Sequence, residues 1–401
     1  MNENISILDK ILKNKKEDEL INFDISDIIN NLFSELSKRE KDIIIRRYGM
    51  LKINKETLES VGNYHKLTRE RIRQIEFHTI NKLKQLKNLE NHLKLLKKII
   101  TQLLEEHGGF MEKEYMLDTL SWFSANNNNF DNNQINKNCL NFIILKFLNE
   151  DFLEIKNLKF LNSFYKLKYF EHTHLEEIVE ELSNNLKEND KIQNTENIFK
   201  LIKNFKTYNI HKEKLKAENN FNIVQFSKSD LFNENLNVIN NNKPLYSILK
   251  VFKNIKQNKL GYWGHYKHKE IKPKTINDKI YTVLKYKKNP VHFTKIAKII
   301  NEIKFDNKIA NSATVHNELI LNNRYVLVGR GLYGLKEWGL KKGTVAETIE
   351  DILNKSDKLL SRDEIIEKVL KKRKVKSTTI ILALMNKNKF ANISGKYKII
   401  N

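Results

Sequence analysis

The sequence predicts a mainly α protein with small β-hairpin wings, in which an N-terminal helix-turn-helix is followed by tandem winged-helix domains. Three observations carry this prediction. Apolar residues between Ile25 and Lys87 recur at helical spacing. The segments 276–340 and 344–400 repeat one design of three helices and a hairpin. Within the first copy, "YVLVGRGLYGLKEW" alternates as two paired strands would.

At 401 residues the chain exceeds one ordinary core, so several domains are expected. Residues 1–24 form a lead segment without a signal-peptide core, and no stretch approaches the roughly 18 apolar residues of a membrane span. The expectation is a protein of the bacterial cytoplasm or nucleoid with no membrane partner. Its net charge of +23, from 72 Lys and Arg against 49 Asp and Glu, favours polyanionic partners. A chain crowded with Lys, Asn and Ile and holding 12 Gly and 3 Pro is also what AT-rich codons produce, so the charge alone does not name a partner. The single cysteine, Cys139, rules out an internal disulfide and, within the run "CLNFIILKFL", reads as a small core residue.

In the N-terminal unit, 25–88, the first stripe is Ile25, Ile28, Ile29, Leu32, Phe33 and Leu36. Ile43 and Ile44 open a second helix, which Gly49 stops. Thr57 is placed to cap a short helix, "LESVGNY", and Thr68 to cap the helix after it. Val61 and Leu67 flank the turn between these two, Gly62 is small where they would cross, and Ile72 and Ile75 face inward. Lys66 falls where such a turn prefers Gly or Asn, because that position takes positive φ.

At about 100° per residue, Ile72, Ile75, Thr79 and Leu83 gather on one side of "TRERIRQIEFHTINKLK". Glu70 and Gln74 point the other way, with Arg69 and Arg73 between the faces and Arg71 on the far flank. Arg, Gln and Glu suit guanine, adenine and the cytosine amine in a major groove, while flanking Arg residues suit phosphates. A solvated face held by local ion pairs has the same pattern. Periodicity does not separate the two readings.

The strings "LSKREKDIIIRRYG", "TLESVG" and "LTRERIRQIE", from about Leu32 to Lys87, closely resemble region 4 of bacterial sigma-70-type factors, which reads the promoter −35 element. The resemblance implies base contacts by Arg69, Glu70 and Gln74. It implies backbone contacts by Arg39, Arg47, Thr57, Leu58, Arg71 and Arg73, and docking on RNA polymerase core, including the flap of its β subunit. Two departures stand out. Phe77 and Thr79 occupy positions where the family usually has alanine, so the end of this helix is expected to pack differently. No aromatic-rich segment of the kind that melts the −10 element is recognisable, so the chain is not expected to open a promoter by itself.

In the C-terminal pair, 275–340 and 343–401, Ile349, Ile352 and Leu353 follow Ile280, Val283 and Leu284 at an offset of 69 (280 to 349), as Ile365 follows Ile296. The offset then falls to 65 (312 to 377) for Ser312/Ser377, Thr314/Thr379, Leu319/Leu384, Asn323/Asn388, Tyr325/Phe390 and Val328/Ile393. A drop of four places a shorter loop between the second and third helices, the third being capped by Ser312 in the first copy. That copy, "IYTVLKYKKNPVHFTKIAKII" through "GRGLYGLKEWG", resembles the HARE-type helix-turn-helix domain found in the delta subunit of RNA polymerase, in chromatin proteins and beside some restriction enzymes. The resemblance implies association with nucleic acid or a transcription complex. A winged helix here would offer Thr314, His316 and Asn317 on its third helix and Arg324 and Arg330 in its wing. In the second copy, "KKRKVKSTT" makes a basic entry around Lys376. A protein-docking scaffold remains the alternative for both.

Between these ends, 92–168 reads as a divergent copy with Phe152 and Ile155 in the parts of Tyr325 and Val328, and Asn126–Asn129 as a loop insertion. Residues 172–226 read as another, ending in "NNFNIVQF", and 227–274, without clear periodicity, as a linker. In that linker, "LGYWGHYKHKEIKP" sets aromatics among basic residues. Packing on the neighbouring domain is preferred over stacking on bases. No phosphate loop, metal-ligand spacing or nucleophile with a base is found, and the 11 His, including His172 and His174, read as surface residues. No enzyme activity, cofactor or metal is expected. The expected function is a DNA-binding transcription factor that recognises promoter-like double-stranded DNA and acts with RNA polymerase. The alternative is a polymerase accessory protein resembling delta that acts through protein contacts, and a recognition module of a DNA-modification system is a third class.

Overall fold

The computed structural model describes residues 24–50, 54–124, 130–189, 191–215, 236–340, 344–356, 358–372, 376–386 and 388–400. It is mostly helical, with small three-stranded antiparallel sheets. The chain divides into two compact units, one reaching to Lys256 and including Trp263–His265, the other formed by Gln257–Tyr262 and Tyr266–Asn401.

The first helices begin where side chains satisfy their free amides. Asp24 accepts from the Ser26 N–H ahead of α1 (Ile25–Phe33), and Ser37 and Glu40 form a reciprocal capping box at α2 (Lys38–Tyr48). Gly49, at φ 70°, ends α2 in the left-handed conformation that glycine adopts without a Cβ clash. Thr57 caps α3 (Leu58–His65) through the Ser60 N–H at 3.1 Å. Thr68 caps α4 (Arg69–Lys84) through the Arg71 N–H at 3.2 Å.

Beyond α4 one order of elements recurs: helix, short strand, two helices and two strands, with further short helices between the two in the second instance. It is α5 (Leu89–Glu106), β1 (Phe110–Glu112), α6 (Lys113–Ser124), α7 (Phe130–Phe147), β2 (Phe152–Ile155) and β3 (Phe164–Leu167) in the first instance. The second runs α8 (Thr173–Asn189), β4 (Gln193–Asn194), α9 (Thr195–Lys203), then α10 (Lys206–His211) and α11 (Leu236–Asn240), and closes with α12 (Lys243–Val251), β5 (Ile255–Gln257) and β6 (Tyr262–His265). The third is α13 (Ile276–Lys287), β7 (Val291–His292), α14 (Phe293–Ile303), α15 (Ser312–Leu321), β8 (Tyr325–Gly329) and β9 (Leu332–Leu335). The fourth is α16 (Val345–Asn354), β10 (Leu360–Ser361), α17 (Arg362–Lys372), α18 (Ser377–Leu384), β11 (Phe390–Ile393) and β12 (Lys396–Ile399). In all four sheets the last strand lies between the other two: β1-β3-β2, β4-β6-β5, β7-β9-β8 and β10-β12-β11.

The expected linker therefore differs from what is found. Residues 227–235 lie outside the described residues, but 236–265 carry two helices and the second sheet's closing strands. Trp263 is buried there and donates from its indole N–H to Thr195 Oγ1 at 2.9 Å, so it is unavailable for stacking on a base. The reason the segment looked patternless is visible in α12, where Lys243, Pro244, Leu245, Tyr246, Ser247, Ile248, Leu249 and Val251 are all buried. Its polar residues, Lys243, Ser247 and Lys250, recur at i, i+4 and i+7, but the helix is only nine residues long and Lys243 and Ser247 are buried, so the stripe does not mark a solvent face. Lys243 is admitted to this interior by an ion pair with Glu106 at 2.5 Å. The expected end of the second copy in "NNFNIVQF" falls outside the described residues, as do Asn126–Asn129.

Two further readings are corrected. Histidines His107 and His174 are buried rather than on the surface, and burial holds their imidazoles down, to about 3 and about 4 respectively. Ser312 is the first residue of α15, one inside its cap. Asn311 caps the helix by accepting from the Ala313 N–H at 2.9 Å.

The N-terminal helices do not stand apart from the first repeat. Ile25, Leu32, Phe33, Ile44 and Leu83 share one core with Leu96, Ile100, Leu103, Phe142 and Phe152. The Ile25 N–H donates to Ser124 Oγ at 3.0 Å, and Asn138 donates to the Gly49 carbonyl at 2.9 Å. Cys139 lies in this core, where burial pushes its thiol up to about 12. The helix-turn-helix adds a small cluster of its own: Ile43, Val61 and Ile72, with Leu58, Leu67 and Ile75 at its edge.

In the third and fourth repeats, residues 304–311 separate α14 from α15 and residues 373–376 separate α17 from α18, which is the difference of four residues that the changing offset required. One equivalence does not hold. The β8–β9 ladder bulges between Leu327 and Gly329, whereas β11–β12 is regular. The extra residue turns Val328 inward, while Ile393 is 45% exposed.

Candidate nucleic-acid interface

The turn between α3 and α4 sets the geometry of the exposed polar face. Gly62 is buried, and a Cβ built on it would stand 2.7 Å from the Leu67 carbonyl oxygen. Only glycine lets the second helix start this close to the first. Lys66 closes α3 at φ 55°, the left-handed conformation that the turn demands of it, and the Leu67 N–H donates to the Gly62 carbonyl at 2.9 Å. Ile72, Thr79, Ile80 and Leu83 bury the inner side of α4, which fixes its outer side toward solvent.

Glu76, which the sequence reading did not single out, locks α4 onto α2. One of its carboxylate oxygens accepts from Arg47 Nε at 3.2 Å and the other from the Tyr48 hydroxyl at 2.8 Å. Arg47 also donates to the Glu56 carbonyl, so it is half-buried and held inward. Next to it, Arg46 pairs with Asp42 at 2.8 Å and Glu56 at 3.0 Å and lies 3.6 Å from the Tyr64 ring centroid. The signal that could have marked Glu76 is its spacing: it lies four residues beyond Ile72 and one beyond Ile75, on the edge of the inner stripe rather than outside it.

Of the residues expected at the interface, Arg69, Glu70, Arg71, Arg73 and Gln74 are all exposed on α4. Glu70 and Arg73 form a bidentate pair at 2.7 and 2.8 Å, and Arg71 donates to Gln74 Oε1 at 3.3 Å. The hydrogen bond from Arg73 draws the Glu70 carboxyl below its usual range. The face is thus internally paired and at the same time exposed to solvent. Exposed pairs of this kind are solvent-screened and exchange readily for other partners. Arg39 is exposed on α2. Thr57 spends its hydroxyl on the α3 cap, and Leu58 packs at the edge of the small cluster.

The second group of expected residues lies in the other compact unit. Thr314 and Asn317 are exposed on α15. His316 instead stacks on Phe293 at 4.4 Å and meets the Tyr333 ring edge-on at 5.8 Å, so its imidazole is engaged in packing. Arg324 is exposed with its guanidinium 5.9 Å from the Tyr281 ring centroid, and Arg330 is exposed in the hairpin. Lys376 is exposed at the start of α18 and makes no side-chain cap there. Residues 373–375 of the basic entry lie outside the described residues.

Among the described residues, no helix is long and apolar enough to cross a membrane, and no group of three or more His, Cys, Asp or Glu is placed to hold a metal ion. No solved structure matches the chain. The chain is similar to RNA polymerase sigma factor RpoS of Coxiella burnetii, 36% identical over 69 residues, which is 17% of this chain and 20% of that protein. It is also similar to RNA polymerase sigma factor SigA of Microcystis aeruginosa, 40% identical over 68 residues, 17% of this chain and 16% of that protein. A third relative is the RNA polymerase principal sigma factor HrdD of Streptomyces griseus, 44% identical over 61 residues, 15% of this chain and 18% of that protein. The match spans about a fifth or less of each relative's length. The family described as Sigma-70, region 4 matches residues 32–85, the segment that holds α3, α4 and the Gly62 crossing. Residues 32–85 are a sigma-70 region 4 domain.

Proposed function

We propose that the protein is a DNA-binding transcription factor that recognises promoter-like, −35-type double-stranded DNA through α4 and acts in transcription initiation or its regulation with RNA polymerase. The observation that carries this is the exposed row of Arg69, Glu70, Arg73 and Gln74 on a helix whose inner side is locked by Gly62, Ile72 and Glu76. Base reading needs donors and acceptors held in one register, and this helix holds them. Arg39, Arg71 and Arg73 would meet phosphates, while Thr57 and Leu58 would bring the α3 N-terminus to the backbone. Arg47 would serve by positioning, given its inward bonds. The region 4 domain also supports docking on RNA polymerase core, with the β flap as the surface. The protein would work by binding, without catalysis or cofactor, in the bacterial cytoplasm.

The four repeats are read as winged helices, the third of HARE type, on the strength of their shared element order and sheet order. Thr314, Asn317, Arg324, Arg330 and Lys376 are the groups that such domains would bring to nucleic acid. The test is footprinting of the full chain on promoter fragments with Arg69→Ala and Gln74→Ala. Each substitution is expected to relax preference at one position. Unchanged sequence preference in both would remove the main support for this reading.

A second reading has one specific observation behind it. At the offset of 65, Asn317 and Ile320 of α15 correspond to Leu382 and Met385 around α18, both 69% exposed. The face that would read DNA is apolar in the fourth repeat, which favours protein contact and an accessory role resembling that of delta. Leu382→Glu should then weaken capture of core polymerase and leave DNA footprints unchanged.

A further inference from the structure

The region 4 domain leaves one large apolar side chain in solvent on the very face that is otherwise polar. Counted at 100° per residue, Glu70, Arg73, Gln74 and Phe77 lie in one stripe of α4. This i, i+3, i+4, i+7 spacing is the one with which a single recognition helix lines base edges in the major groove. Phe77 is 59% exposed and belongs to neither the shared core nor the small cluster around Val61. Its ring meets the neighbouring His78 edge-on at 5.9 Å. Among the described residues of 24–88 the other large exposed hydrophobic is Tyr64, and Arg46 covers its ring.

An aromatic ring gains by leaving water only if an apolar group is there to meet it. In the major groove that group is the 5-methyl of thymine, which no other base of unmodified DNA carries. Seven residues at about 1.5 Å each place Phe77 about 10 Å along the helix from Glu70, or about three base-pair steps. We propose that Phe77 is a specificity-determining contact that reads the methyl group of a thymine about three base pairs from the position under Glu70. The proposal rests on the reading that α4 enters the major groove.

The test uses the full chain and the duplex that it selects from a randomised pool. Each thymidine is replaced in turn by deoxyuridine, which removes the methyl group and nothing else. One replacement is expected to weaken binding about four-fold, the usual worth of one buried methyl group. Phe77→Ala should bind the parent duplex about four-fold more weakly and lose all discrimination at that position. Phe77→Leu should keep part of it. Because the side chain is exposed, both variants should retain the parent's far-ultraviolet circular dichroism. A flat uracil scan, or discrimination that survives in Phe77→Ala, overturns the proposal. So does an outcome in which Phe77→Ala binds DNA normally but no longer captures RNA polymerase core, since the ring then serves a protein contact. If Arg69→Ala and Gln74→Ala shift the selected sequence while the uracil scan is flat, groove reading stands and the Phe77 assignment alone falls. If the pool yields no preferred sequence, both fall.

Discussion

Gly62→Ala isolates the contact that sets the exposed polar face of α4. The added methyl would sit 2.7 Å from the Leu67 carbonyl oxygen, a backbone atom that no rotamer change moves. Its other neighbours, the Arg69 nitrogen and the Thr68 carbonyl carbon at 3.6 Å, tolerate it. Two effects oppose each other. Alanine is better than glycine inside a helix by roughly 1 kcal/mol. Overpacking that moves backbone costs about 1–3 kcal/mol, and here the upper part of that range applies because α3 and α4 must separate. The expected balance is a loss of about 1–2 kcal/mol, confined to the turn and the cluster of Ile43, Val61 and Ile72. A chain of several cores does not unfold in one step, so a global melting temperature is the wrong measure. Native-state hydrogen exchange of the α3 and α4 amides reads the effect directly, as exchange about 5–30 times faster than in the parent. Lys66→Gly should act oppositely, because it relieves a left-handed lysine at φ 55°. Equal or slower exchange in Gly62→Ala would show that helix propensity outweighs the crossing, and the account of the turn given above would be wrong.

Three other expectations follow from the same geometry. Thr79 is buried on α4 and its hydroxyl has no hydrogen-bond partner among the described residues, so the near-isosteric Thr79→Val should slow exchange of the neighbouring amides by the equivalent of about 1 kcal/mol. His174, surrounded by His211, Lys214, Glu177 and Glu171, titrates at about 4 because burial disfavours its charge. The unfolded chain takes up that proton near pH 6.5, so stability of up to about 3 kcal/mol is present above that pH and is lost as pH falls through 4. Hydrogen-exchange protection factors of the α8 amides should fall less steeply between pH 7 and 4 in His174→Leu than in the parent. DNA affinity should drop about 40-fold from 50 to 200 mM salt if Arg39, Arg71 and Arg73 each neutralise one phosphate. A filter-binding series that stays flat over that range would refute a phosphate-dominated interface.

How far the sequence leads depends on the range of the interaction concerned. Thr57, Thr68, Gly49 and Gly62 act within a few residues of themselves, through caps, a left-handed stop and a helix crossing, and each was readable before any coordinates. So were the half-polar stripe of α4 and the shortened loop between the second and third helices of the last repeat. The second repeat was not, because α11 and α12 are only five and nine residues long and the polar side of α12, with Lys243 and Ser247, is buried. The same limit hid His107 and His174, since a histidine carries no mark of the core that will close over it.

By itself, then, the sequence determined where the helices of the region 4 domain start and stop and which side of α4 is polar. The tertiary structure alone decided that Glu76 draws Arg47 inward, that His316 is committed to Phe293, and that Phe77 remains outside with the exposed polar row of α4. The physical reason is that capping and periodicity are local properties of the chain. Whether a polar or aromatic side chain is free or engaged depends on partners brought to it from tens of residues away.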